Sequence, residues 1–445
     1  MKRIMLLAAT LMAISVIPQA SALPLFARQT GMECSACHYQ HFPLLNSFGR
    51  AFKTNAYTMM GAQTKVDGDR LSIPSYLNMA GLTTVGYERT NAADASTTPI
   101  PGSRNDGNGL FYMPGHNGEL SLFFGGRIND NAGFLTEIGL LGPADQSSAK
   151  MPILFEVADS TRAGLVPFTT NAQGASYGFE LLNTGANAVH QMSGVGGFNG
   201  AHTSAISAQQ YIGTGAAATG FSIVASNPTG FANLTKYNQM GTGDLTGGNN
   251  TTGSGSIMGA GMDSTYLRIA GFFDLKGWEA GVGVQNWSGS SLNLDTSTGP
   301  NFTAAITTTN ATAIDGQLQG DWRNMPVGIY ASYATAPADA NITNSYNTGS
   351  MTRSAFNMAG EVGVIPGIAT VGGALRLGQS GVDDGSGGNA TDNALMLTAT
   401  YKLSQNMMAS LSYTTASGSY WTANNSANTI ATGSKTVTLN LFTLF

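Results

Sequence analysis

Through the second half of the chain, apolar residues recur at every other position. Leu267, Ile269, Gly271, Phe273 and Leu275 fall on one face and Arg268, Ala270, Phe272 and Asp274 on the other, which is the pattern of a strand with one apolar side. A Lys276-Gly277 link follows, and Trp278, Ala280, Val282 and Val284 then alternate with Glu279, Gly281, Gly283 and Gln285. The two runs predict a hairpin. The same plan recurs at residues 314–322 and 327–334 about an Arg323-Asn324-Met325-Pro326 turn, at 355–364 and 368–377 about Ile365-Pro366-Gly367, and at 394–403 and 407–415 about Ser404-Gln405-Asn406. Long polar stretches separate these hairpins, at 288–309, 337–351, 379–393 and 416–434. Short turns at one end and long loops at the other are the asymmetry of an outer-membrane barrel.

At the spacing of these turns, the body from residue 70 to 445 holds eight or nine hairpins, on the order of sixteen antiparallel strands. A barrel of about that size encloses a lumen rather than a packed core. The last strand places Val437, Leu439, Leu441, Thr443 and Phe445 on one face and stops on an aromatic residue, like the terminal strand by which bacterial outer-membrane barrels are recognised for assembly. The predicted fold class is therefore all-β: an outer-membrane antiparallel β-barrel of about sixteen strands, preceded by a small helical head expected in the lumen.

Composition supports this reading. Of 445 residues 58 are glycine, and Asp, Glu, Lys and Arg make up only 10%, where a soluble protein carries roughly 7% Gly and about 25% charged residues. Scarce charge suits strands that face lipid, where a charged side chain costs about 2–4 kcal/mol at mid-depth. With 42% hydrophobic residues and a net charge of −5, the chain has neither the polarity nor the charge excess of a disordered one. Beyond Lys2-Arg3 it has no basic run that could neutralise a row of phosphates, so nucleic acid is not an expected partner.

Residues 1–22 read as a cleavable secretory signal: Met1-Lys2-Arg3, an apolar run, then Ala20-Ser21-Ala22. The mature chain is expected to begin near Leu23. Past this point Gly, Asn, Thr and Ser interrupt every hydrophobic run before the roughly 20 residues that a membrane helix needs. Any later crossing must be made by strands.

The chemistry is concentrated in the head, residues 23–69, which contains both cysteines. Cys34-Ser35-Ala36-Cys37-His38 matches the attachment pattern of a c-type haem. Two thiols at this spacing can form thioethers to the two vinyl groups of one porphyrin, and the next imidazole falls beneath the iron. His38 is then the proximal ligand, with a small disulfide or free thiols as the alternative. A distal ligand must come from the other side of the ring. His41, if helical with His38, shares its face and cannot easily reach across. Met59 and Met60 lie far enough along the chain to wrap the haem edge, and a Met/His pair raises the reduction potential; packing filler is the other reading of both. His116, His190 and His202 fall in polar, loop-like stretches. Arg28, Arg50 and Lys53 could face the haem propionates or be plain solvated charge.

The stretch Pro24-Leu25-Phe26-Ala27-Arg28-Gln29-Thr30-Gly31, the Cys34 to His38 motif, Phe42-Pro43-Leu44-Leu45-Asn46, Phe48-Gly49-Arg50-Ala51-Phe52-Lys53 and Tyr57-Thr58 closely resemble the head of the fused monohaem cytochrome-porins of the outer membrane, a family best known from iron-oxidising bacteria. The resemblance covers about 40 residues; over the body only the general barrel pattern agrees. It implies a haem domain in or at the barrel mouth that passes electrons from extracellular Fe(II) to a periplasmic c-type cytochrome. Asn55-Ala56-Tyr57 departs from it, since a Gly is expected before the Tyr, and the change bears on the turn leading to Met59. Two other readings share these residues: a conduit for a different extracellular donor or acceptor, and a passive porin with a structural haem. Asp244, Asp295, Asp339, Asp383, Asp384 and Asp392 fall in expected outer loops, where they would either draw Fe(II) to an acidic mouth or stand as ordinary solvated charge.

Overall fold

The structure, a computed structural model, describes residues 24–69, 71–91, 110–115, 117–141, 147–171, 173–185, 207–239, 262–295, 303–423 and 434–445. The signal-like segment 1–22 lies outside the described residues, as do His116, His190, His202 and Asp244. The body is a closed antiparallel barrel of 16 strands. In chain order its wall is β1 (Asn78–Thr90), β2 in three pieces (Leu110–Pro114, Asn117–Gly118 and Leu120–Arg127), β3 (Gly133–Leu141), β4 (Ser148–Lys150 and Ile153–Ala158) and β5 (Thr161–Thr170). It continues through β6 (Ala218–Asn227), β7 (Gly230–Asn238), β8 (Ser264–Leu275), β9 (Trp278–Ser288), β10 (Ala311–Trp322), β11 (Met325–Ala336) and β12 (Arg353–Ile365). The last four are β13 (Ala369–Asp383), β14 (Asn389–Thr391 and Asn393–Ser404), β15 (Met407–Ser417) and β16 (Lys435–Leu444). β16 closes the wall on β1, with Thr436 opposite Thr90 and Leu444 opposite Leu82.

The period-two pattern sorts the faces. In β8 Leu267, Ile269 and Phe273 are exposed on the outside while Tyr266, Arg268 and Ala270 are buried inside; in β9 Val282 and Val284 face out and Gly283, Gln285 and Trp287 face in. β16 repeats this, with Val437 and Leu439 outward and Thr436, Thr438 and Asn440 inward. Trp322, Tyr401 and Phe445 are exposed near the tight-turn ends of their strands, where the aromatic girdle of a membrane barrel lies. A closed wall with an apolar exterior and a polar interior leaves no unpaired backbone edge in lipid. The chain is an outer-membrane barrel.

Part of the lumen is occupied. Segment 174–185, which follows β5, is buried throughout and folds inward. Its Glu180 accepts from Arg268 Nε at 3.0 Å, and Arg268 also forks onto Asp315 at 2.6 and 2.9 Å. Gln285 donates to Asp315 at 2.9 Å and Thr184 at 2.6 Å, so the buried charges are paired and hydrogen-bonded. A side chain at Gly281 would run into Leu182, and one at Gly283 into the Arg268 guanidinium. Inward glycines are what let the inserted segment lie against the wall. Towards the outer loops, Tyr211, Tyr237, Tyr266, Trp287 and Tyr346 form one buried cluster.

The tight-turn end is occupied by the head, which carries three short helices, α1 (Pro24–Thr30), α2 (Cys34–Cys37) and α3 (Ser47–Thr54). A two-stranded ribbon, Lys65–Gly68 with Leu71–Pro74, leads from it to the wall. The boundary expected at residue 69 falls between the arms of this ribbon, and the first wall strand begins at Asn78. A head this small cannot bury a core of its own. Leu25 packs with Ala80, Leu82 and Phe123 of the wall, and Ala56 with Leu154, Val166 and Phe179.

Candidate functional site

In the single turn of α2 the two cysteines, three positions apart, stand on one side; both thiols are free. The His38 N–H closes the turn on the Cys34 carbonyl at 2.9 Å, and His38 itself leaves the helix with extended backbone. Its Nδ1 donates to the Leu44 carbonyl at 3.1 Å, which leaves Nε2 as the bare lone pair. A hydrogen bond from one ring nitrogen to a backbone carbonyl is how a metal-binding histidine is commonly oriented. Burial pushes this imidazole down to about 4, so at neutral pH it is in the uncharged form that a metal requires. Cys34 is pushed up to about 11, chiefly by burial, and its Sγ lies 3.0 Å from the Gln405 carbonyl.

α3 holds this turn in place. Asn46 caps it, accepting from the Gly49 N–H at 2.9 Å while its own amide donates to the Ala36 carbonyl at 3.0 Å. A side chain at Gly49 would collide with the Cys37 carbonyl, so the glycine lets α3 rest on the backbone of the motif.

Between this part of the head and the wall is a narrow cleft. The head contributes Cys34, His38 and Phe42; the wall contributes Lys402, Gln405, Asn406, Met407, Met408, Phe442 and Leu444. Phe42 turns its edge to the His38 ring at 5.3 Å and stacks on Phe442 at 5.7 Å. Cys34 and His38 line this cleft and Cys37, one helical turn from Cys34, does not; two thiols at this spacing followed by a neutral imidazole are the donor types that a covalent haem takes.

His41 has a different environment. Its Nδ1 donates to the Phe42 carbonyl at 2.8 Å and its Nε2 to Glu361 at 2.7 Å, both side chains being buried. Burial alone would push this histidine down, but the Glu361 carboxylate outweighs it and holds the imidazolium above its ordinary range. With both nitrogens donating, His41 has no lone pair for iron. α2 ends before it, so the shared helical face expected with His38 does not exist, and His41 serves as a buried tie between head and wall.

The other expected residues are spread around the head. The Met59 carbonyl receives the Gln29 side-chain amide at 2.7 Å, and neither Met59 nor Met60 lines the cleft. Arg28 donates to the Met79 carbonyl and Arg50 pairs with Glu279 beneath the Phe272 ring. Lys53 is pushed down to about 8 by burial, which the Glu180 carboxylate partly opposes. Lys402 is the cation that reaches the cleft. No sequence signal marked it, because its place depends on which turn lies beside α2.

The acidic positions also divide. Asp339 is exposed but accepts the Asn341 and Ile342 N–H groups, and Asp384 accepts from Ser386. Asp383 is exposed and accepts from Gly385; Asp295 ends a ribbon arm, Ser290–Asp295. Asp392 corrects the expectation of an outer-loop charge: it is fully buried, paired with Arg376 at 2.9 Å and bonded by Tyr211 at 3.1 Å and Trp421 at 3.2 Å. The sequence pattern placed it in a loop, but it lies between the two pieces of β14, which pair with β13.

No protein-family model matches the chain, and no curated protein resembles it in sequence. Among solved structures, it is similar to OmpT of Vibrio cholerae in its trimer form, at 8% identity and a TM-score of 0.46 over 83% of this chain and 99% of that one. It is also similar to Salmonella typhi OmpF in complex with daunomycin, at 10% identity and 0.47 over 86% and 100%. A third is the anion-selective porin of Comamonas acidovorans, at 13% and 0.44 over 83% and 99%.

Proposed function

We propose that the chain is an outer-membrane electron-transfer protein that carries one covalent haem c on Cys34 and Cys37, with His38 as proximal ligand. Its role is to accept electrons from extracellular Fe(II) and pass them to a periplasmic c-type cytochrome. The observation that carries this reading is the free Nε2 of a neutral His38, one residue past a thiol pair, on a cleft at the tight-turn end of the barrel. The group would supply one-electron exchange. The chain's own residues hold the imidazole in the iron-binding tautomer through Leu44, fix α2 against α3 through Asn46 and Gly49, and shield one side with Phe42 and Phe442. A site among tight turns is close to the periplasm, which suits delivery to a carrier there.

The head and segment 174–185 occupy part of the lumen, which favours the conduit over a passive porin. Purified protein is expected to show a c-type pyridine haemochrome and to retain haem through denaturing electrophoresis. Rapid mixing with Fe(II) should then reduce it. A Cys34→Ala, Cys37→Ala double variant that still holds haem covalently would overturn the site. A wild-type haem that Fe(II) leaves oxidised would move the proposal to another donor, and rapid solute flux in liposomes would favour the porin.

A further inference from the structure

We propose that the sixth coordination position of the haem is completed from the barrel wall by Met408, not from the head. This inference rests on the haem reading above and deepens it. The cleft that holds Cys34 and His38 is bounded across from the head by β14, β15 and β16, and Met407 and Met408 are the methionines that line it. Met408 is 5% exposed and faces inward, directly opposite Phe442 in the strand register. Phe442 is the ring on which Phe42 stacks, and Phe42 in turn abuts His38. The wall methionine therefore belongs to the same small set of side chains as the proximal imidazole.

The rest of the inward face of β15 sharpens the point. Ser410, Ser412 and Thr414 follow Met408 into the lumen, all small, polar and buried. The face turns to a soft thioether only where it borders the His38 cleft. The head's own candidates stand apart from the cleft: His41 spends both nitrogens on Phe42 and Glu361, and Met32, Met59 and Met60 do not line it. The site is then composite, with attachment and proximal ligation on the head and distal ligation on the wall. Coordination would lock the head to the barrel.

The test uses full-length protein matured with haem. Met408→Leu keeps the apolar volume and removes the sulfur, and Met408→His restores a ligand without a thioether. The expected wild-type protein is low-spin, with the weak near-infrared band of iron–methionine ligation. Met408→Leu should lose that band, turn high-spin and show a lower reduction potential, since a Met/His pair raises it. Met408→His should return to low spin without the band. The band should persist in Met59→Leu, Met60→Leu and Met407→Leu. Its persistence in Met408→Leu, its loss in one of the other three, or its absence from wild type would overturn the assignment. The pyridine haemochrome separates this failure from that of the haem reading: a normal haemochrome with an unchanged band refutes Met408 alone, whereas no haemochrome in wild type refutes both.

Discussion

His38 and His41 are three residues apart, and the barrel gives them opposite surroundings. The His38 ring is hydrogen-bonded only to backbone of its own head, with Nδ1 3.1 Å from the Leu44 carbonyl, and borders the cleft; His41 is clamped between the Phe42 carbonyl and the Glu361 carboxylate of β12. One is held neutral and available, the other charged and spent. Neither state follows from the local sequence, because the deciding group for His41 lies more than 300 residues away. The comparison shows how a head too small for its own core divides its polar residues. Those that meet wall charges tie it in place, and those that meet an apolar wall cleft stay free for chemistry.

The largest expected effect breaks this division on the His41 side. Glu361→Gln or His41→Ala leaves one buried member of the pair without its partner, a change that costs about 3–5 kcal/mol. Head release, followed as protease sensitivity of residues 24–63 against denaturant, should shift by that amount, while His38→Ala should shift it by only about 1 kcal/mol, the net worth of one hydrogen bond. Equal shifts in the two variants would erase the distinction.

The two histidines should also oppose each other in pH. His38 has a folded value near 4, below the ordinary value of about 6.5. In haem-free protein the unfolded state therefore binds more protons between these values, and head stability rises with pH across that window. His41 has a raised folded value, so its contribution is full below about pH 6.5 and is lost as pH climbs through the folded value. Denaturation midpoints taken across pH should show the acid-side slope vanish in His38→Ala and the alkaline-side slope vanish in Glu361→Gln. A slope that survives its own variant would assign it to another group.

A smaller effect sharpens how the head meets the inserted segment. Leu45 N–H donates to Asn183 Oδ1 at 2.8 Å and the Asn183 amide returns to the Leu45 carbonyl at 2.9 Å. Asn183→Ala strands both backbone groups and should cost about 1–3 kcal/mol, read in the same release assay; no loss would mean that the segment does not support the head.

The smallest effect is a gain. Ala56 and Tyr57 both sit in the left-handed region, at φ 52° and 61°, where a non-glycine residue costs about 1–2 kcal/mol. This is the place where the family resemblance leads one to expect a Gly before the Tyr. Ala56→Gly should raise the release midpoint by up to about 1 kcal/mol, part of the relief being offset by unfolded-state entropy. A loss on this substitution would show that the Ala56 methyl, packed with Leu154 and Phe179, outweighs the backbone.

Strand alternation is a local property of the chain. The four hairpins about Lys276-Gly277, Arg323-Asn324, Pro366-Gly367 and Gln405-Asn406, the lipid-facing choice of Leu267 and Val437, the approximate number of strands and the thiol–thiol–imidazole spacing were therefore all legible in the sequence alone. Each depends on residues within a few positions of one another. The placement of Arg50 against Glu279, of Asp392 beneath Arg376, of Lys402 and Met408 beside His38, and the split between His38 and His41 was not legible. Barrel closure brings turns from distant hairpins around one small head, and which side chain faces which is settled by strand register and by the depth to which the head is inserted. Pairwise electrostatics fall off with distance in space and are indifferent to distance along the chain. Only the closed wall decides whether a histidine three residues past a haem motif meets a carboxylate or a cleft.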